Sequence, residues 1–97
     1  QLGNAIVDGP LSLDVALYKE VAEHKKVKGS AVAGDPDCLL FPNIESANVF
    51  FKAATHFGGA ELAAMVMGTK VPCVLTSRGD SRLTKMYSIA LACLAAR

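Results

Sequence analysis

The chain has 97 residues, which at one domain per ~150 residues makes a single small domain or part of a larger one. Hydrophobic residues make up 52% and charged residues 20%, which excludes intrinsic disorder. The net charge of +1 gives no general grip on nucleic acid or anionic lipid, and the longest run free of Asp, Glu, Lys and Arg, Met86 to Ala96, is 11 residues against the ~18 that a membrane helix needs.

Taken in order, Ala5-Ile6-Val7 reads as a short strand entering the Asp8-Gly9-Pro10 turn. Ser12 offers an N-cap for a helix over Leu13 to His24, and Lys25, Lys26 and Lys28 cluster at its end, where cations suit the dipole. A loop around Gly34-Asp35-Pro36 leads to a second apolar strand, Cys38 to Phe41. Asn43 caps a helix over Ile44 to Phe57, which Gly58-Gly59 ends. Glu61 to Met67 and Val71 to Leu75 read as two more strands, and Asp80 or Ser81 starts a last helix that runs to Ala96. The order β-α-β-α-β-β-α predicts an α/β fold, a layered sheet with helices on both faces.

Cys38, Cys73 and Cys93 are odd in number, widely spaced and set among apolar neighbours. With no CxxC pair they read as reduced, buried thiols of a cytoplasmic protein rather than zinc ligands or a disulfide framework. Gln1, with no basic region ahead of an apolar stretch, fits a processed chain or a piece of a longer product. So apolar a composition in so short a chain also predicts uncovered apolar surface, to be met by another domain or subunit.

Several polar residues stand out from their surroundings. On a helical wheel Asp14 falls in the same arc as Leu17, Tyr18, Val21 and Ala22, so its carboxylate needs a partner. Amide groups and the helix dipole could satisfy it, or Asp14 and Asp8 could shape a polar cleft at a sheet edge, where α/β proteins bind ligands. Glu45, Asn48, Lys52, Thr55 and His56 share an arc of about 100° on the second helix, either a solvated face or a cleft wall in which Asn48 and Lys52 meet an anion or a carbonyl. The third helix carries only a thin polar stripe, Ser81, Thr84, Lys85 and Ser88, so one of its apolar sides reads as an interface.

The segment with most chemistry is Leu75-Thr76-Ser77-Arg78-Gly79-Asp80-Ser81, a strand end, a hydroxyl, a guanidinium and a helix start. Backbone N–H groups at that start and the fork of Arg78 suit an anion; a structural Arg78–Asp80 contact is the competing reading. Neither a Walker loop nor GxGxxG is present.

Three stretches, DGPLSLDVA from Asp8, VAGDPDCLLFPNIESANVFFK from Val32 and GTKVPCVLTSRGDSRLTKMYSIALA from Gly68, give the chain its resemblance to the C-terminal part of the phosphate acetyl- and butyryltransferases. The TSRxDS segment followed by KxYSIALA resembles the butyryl type more than the acetyl type. The resemblance implies the isopropylmalate-dehydrogenase-like α/β fold, a homodimer, and transfer of an acyl group between coenzyme A and inorganic phosphate. It implies no cofactor or metal beyond the coenzyme A thioester as substrate, and no nucleic acid or membrane partner. Carried over, Ser77 and Arg78 are the catalytic pair, Asn48 and Lys52 line the substrate cleft, and Asp8 and Asp14 organise it. Residues 1–97 would then be one α/β unit of a longer two-domain enzyme, inactive alone. Phosphate acetyltransferase, a non-catalytic domain binding coenzyme A or a phosphorylated metabolite, and a dimerisation domain are the alternatives. The sequence departs from the family at Thr84, where acetyl-type members carry an acidic residue proposed as a base, and at Asn43, Ala47 and Phe51, where the family often has Asp, Gly and Tyr.

Overall fold

A computed structural model describes residues 2–96; Gln1 and Arg97, the two ends of the expected 1–97 unit, lie outside the described residues. The chain divides into two compact units, Gln1–Phe41 and Pro42–Arg97. Four helices form among the described residues: α1 (Leu13–Leu17), α2 (Lys19–His24), α3 (Ile44–His56) and α4 (Arg82–Ala95).

In the first unit the helix expected over Leu13 to His24 is broken at Tyr18, whose backbone is extended at φ −121° and ψ 115°. The loop that follows has a part in this. The Ala16 carbonyl, which a continuous helix would offer to residue 20, instead accepts the Gly34 N–H at 2.9 Å. Gly34 sits at φ +85°, and a Cβ there would lie 2.4 Å from the Cα of Lys19. Glycine is therefore required both by the backbone conformation and by the close approach. Val15, Ala16 and Ala22 are the buried apolar residues of this unit.

The second unit holds the two long helices, and both begin as their sequences predict. The Asn43 side chain accepts the Ser46 N–H at 2.8 Å, and Ser46 Oγ donates back to the Asn43 carbonyl at 3.0 Å. Ser81 Oγ accepts the Thr84 N–H at 3.1 Å. Past α3, Gly59 at φ +65° turns the chain so that the Ala60 N–H reaches the Ala54 carbonyl at 3.0 Å. The segment before α4 is tied to it by Ser88, whose side chain is fully buried. Ser88 Oγ donates to the Thr84 carbonyl at 2.7 Å and accepts the Ala64 N–H at 3.0 Å.

The layered sheet expected from the sequence does not form among the described residues. Of the four segments expected as strands, one pair makes a single antiparallel bridge, Val66 with Cys73, closed by the Val66 N–H on the Cys73 carbonyl at 2.8 Å. A strand satisfies its backbone only against a neighbour, and these segments do not supply one to each other. The same lack of cover exposes the apolar side chains: Ile6, Leu40, Ile44, Met67, Leu75, Ile89 and Leu94 are all exposed. The three cysteines expected to be buried are free and exposed as well. No helix among the described residues is long and apolar enough to cross a membrane.

The Ser88 hydroxyl is the side-chain pin between helix α4 and the 62–66 segment. Ser88→Ala should destabilise the protein by about 1–2 kcal/mol through two lost hydrogen bonds at a buried site. Urea unfolding should show a lowered midpoint with an unchanged slope.

Candidate functional site

Each sequence-nominated residue belongs to one of the two units. Asp8 and Asp14 lie in the first. Asp8 is exposed and accepts the Gly9 N–H at 2.7 Å. The Ser30 hydroxyl first, and that backbone N–H second, hold its carboxyl below the ordinary value. Asp14 Oδ2 pairs with Lys25 Nζ at 2.7 Å, while its Oδ1 accepts Ser12 Oγ at 2.6 Å and the Val15 N–H at 2.9 Å. In an unbroken helix residues 14 and 25 would share a face but stand about 16 Å apart along the axis. The break at Tyr18 is what lets Lys25 return to Asp14. Lys25 first, then Ser12 and Val15, depress the Asp14 carboxyl to about 2. Both carboxylates are thus engaged by the protein's own donors, and Asp14 finds a cation that the sequence reading had assigned to the helix dipole.

Asn48, Lys52, Ser77 and Arg78 lie in the second unit. Of these, Lys52 lines a shallow hollow of about 250 Å³ between α3 and the start of α4, together with Thr55, His56, Asp80, Ser81 and Thr84 among others, whereas Ser77 and Arg78 stand outside the lining on the turn that leads to Gly79 and Asp80. Lys52 reaches it from the middle of α3, its Nζ 4.1 Å from the centre of the Phe51 ring and 3.8 Å from Asp80 Oδ1. Asn48 stands one turn earlier on α3, exposed and outside the lining. Thr84, where an acidic residue was sought, lines the hollow and accepts the Ser81 hydroxyl at 3.1 Å.

The Ser77–Asp80 segment is a closed turn. The Asp80 N–H donates to the Ser77 carbonyl at 3.1 Å, and the Ser77 N–H donates to Asp80 Oδ2 at 2.8 Å. Gly79 N–H leans on Ser77 Oγ at 3.4 Å. Arg78 occupies the tip of this turn, exposed, and makes no hydrogen bond or ion pair among the described residues. The Arg78–Asp80 contact weighed from the sequence is therefore absent from the described residues: Asp80 is taken by Lys52 and Ser77. Backbone donors expected to greet an anion here are partly spent within the turn and on the Ser81 cap. What remains on offer is the Lys52 ammonium and the hydroxyls of Thr55, Ser81 and Thr84 at the hollow, with the Arg78 guanidinium on the adjoining turn, a donor set suited to an anionic ligand. Asp80 is the residue that sequence reasoning undervalued, although its position three residues after Ser77 is the usual signal of a side chain that closes a turn.

The profile of a family described as "Phosphate acetyl/butaryl transferase" matches residues 3–93. The chain is 51% identical over 96 residues to phosphate butyryltransferase of Clostridium acetobutylicum, covering 99% of this chain and 32% of that protein. It is 48% identical over 91 residues to phosphate acetyltransferase of Thermotoga maritima, covering 94% of this chain and 31% of that protein. Its backbone matches the crystal structure of a branched-chain phosphotransacylase from Enterococcus faecalis V583 with a TM-score of 0.77 at 44% identity, over 88% of this chain and 32% of the other. The chain thus spans about a third of the length of each relative.

The Asp14 geometry carries a pH dependence. Its stabilising contribution is complete above the ordinary carboxyl value of 3.8 and is lost as pH falls through about 2, because the unfolded chain takes up its proton first. The Asp14 carboxyl carbon, followed by NMR, should titrate near 2 in the wild type. In Lys25→Ala the midpoint should move up towards 3.8.

Proposed function

Because the chain belongs to the phosphate acetyl/butyryl transferase family, we propose that it is the C-terminal portion of a two-domain enzyme that moves a short acyl group between coenzyme A and inorganic phosphate. In this reaction a phosphate oxygen attacks the thioester carbonyl. The tetrahedral oxyanion then collapses, the carbon–sulfur bond breaks, and an acyl phosphate and the coenzyme A thiolate leave. Two anionic reactants must be brought together while negative charge develops, so catalysis rests on positioning and charge neutralisation.

The observation that carries the proposal is the meeting of Lys52, from the middle of α3, with the Ser77–Asp80 turn around one hollow. Ser77 would donate its hydroxyl to the carbonyl or the thiolate, and Arg78, free at the turn's tip, would hold phosphate or coenzyme A. Lys52, with Asn48 one turn earlier, would line the approach. Asp8 and Asp14, tied up by their own donors, would hold the first unit in shape rather than exchange protons. Butyryltransferase relatives are 49–51% identical over this stretch and acetyltransferase relatives 40–48%, which favours a butyryl-type acyl group.

In the proposed whole enzyme the apolar 5–7, 38–41, 61–67 and 71–75 segments become strands of an isopropylmalate-dehydrogenase-like sheet, paired with strands from the remaining two thirds. The apolar side of α4, with Leu83, Met86, Ile89 and Leu94 exposed, becomes part of a homodimer interface. Three unpaired thiols suit the cytoplasm as its compartment.

Two outcomes test this. The 97-residue chain alone should release no thiol from acyl-CoA and phosphate, whereas the full-length enzyme should; robust transfer by the fragment would overturn the two-domain reading. In the full-length enzyme Arg78→Lys should lower kcat/KM by about 10²-fold or more while circular dichroism stays native, because a point charge replaces an oriented fork. Wild-type kinetics in that variant would remove Arg78 from the catalytic list.

A further inference from the structure

The side chain of Asp80 is only 9% exposed, and it serves two elements at once. One carboxylate oxygen holds the Ser77 N–H at 2.8 Å. The other faces Lys52 Nζ at 3.8 Å, an ion pair too long for a direct hydrogen bond. A carboxylate beside a site meant for anions is unfavourable in itself, since like charges repel. Here it is matched by the ammonium of Lys52, so the pair carries no net charge into the hollow, and the Arg78 guanidinium on the adjoining turn is not spent on Asp80.

We infer that Asp80 is a positioning residue for the acyl transfer: it fixes the Ser77–Arg78 turn and holds the Lys52 ammonium against it. The inference rests on the proposed function. Asp80 acts through Ser77 and Lys52 and touches no reacting atom, and it does not take over the base role that the family's acidic residue near Thr84 was assigned. Two groups 25 residues apart in sequence, Lys52 and Ser77, keep their spacing because one carboxylate binds both.

Asp80→Asn separates these duties. The amide oxygen can still accept the Ser77 N–H, but the charge that restrains Lys52 is gone. Steady-state kinetics of the full-length enzyme, varying inorganic phosphate at saturating acyl-CoA, should show kcat lowered by up to about 10²-fold, the scale of a misplaced group. The KM for phosphate should stay level or fall, because a released ammonium attracts the anion. The shape of the pH–rate profile should be unchanged. In Lys52→Ala, adding Asp80→Asn should cost much less than it does alone, since its partner is already missing. A wild-type kcat in Asp80→Asn, a raised KM with kcat intact, loss of one limb of the pH profile, or full additivity with Lys52→Ala would each overturn the inference while leaving the proposed function standing. A full-length wild-type enzyme without acyl transfer would overturn both. Asp80→Ala, which also opens the turn, should be the more damaged variant, and Asp80→Asn carries the test if that protein does not fold.

Discussion

A single carboxylate, that of Asp80, joins the loop before α4 to the middle of α3. Without it Ser77 would lose the acceptor that turns its N–H inward, and Lys52 would swing with the freedom of a long side chain. Most other features of the second unit prepare this contact. The Asn43 cap sets where α3 begins and hence which face carries Lys52; Ser81, one residue after Asp80, caps α4 and sets where it begins. Ser88, two turns on, pins α4 to the segment that precedes it. The hollow follows from those constraints rather than from a deep core, which is small throughout the described residues.

How much of this was legible in the sequence depended on the range of the interaction concerned. Helices α3 and α4 and their caps were legible because periodicity and capping are settled within a few residues. The break at Tyr18 was not, since the wheel over Leu13 to His24 is continuous and what interrupts it, Gly34 on the Ala16 carbonyl, arrives from another loop. The strands were read from composition, yet a strand exists only with its neighbour, and the single Val66–Cys73 bridge is all the pairing found among the described residues. Cys38 and Cys73 followed the strands, exposed because nothing among the described residues covers those apolar runs, and Cys93 is exposed on helix α4.

The site divides in the same way. Ser77, Arg78, Asn48 and Lys52 were singled out by residue type and spacing, and by resemblance to the family. That Lys52 would meet the loop, and that Asp80 would pair with Lys52 rather than with Arg78, depended on a contact across 28 residues that no local pattern encodes. In the first unit the need of Asp14 for a partner was legible on the wheel and is met in part by the Val15 N–H; its pairing with Lys25, which the broken helix allows, was not.

The inward turn of the Ser77 N–H has a consequence for how the loop can stabilise charge. A main-chain amide already committed to a carboxylate cannot point at a developing oxyanion, so in the proposed reaction the Ser77 amide is not one of the rigid dipoles that many acyl-transfer sites use. The donors that Ser77 and Arg78 would present, a hydroxyl and a guanidinium, are side chains. The arginine alone carries rotamer freedom worth up to about 2 kcal/mol that binding would remove. Order that a peptide nest provides before substrate arrives would, in the proposed enzyme, be imposed on these side chains by the substrate itself, each time it binds.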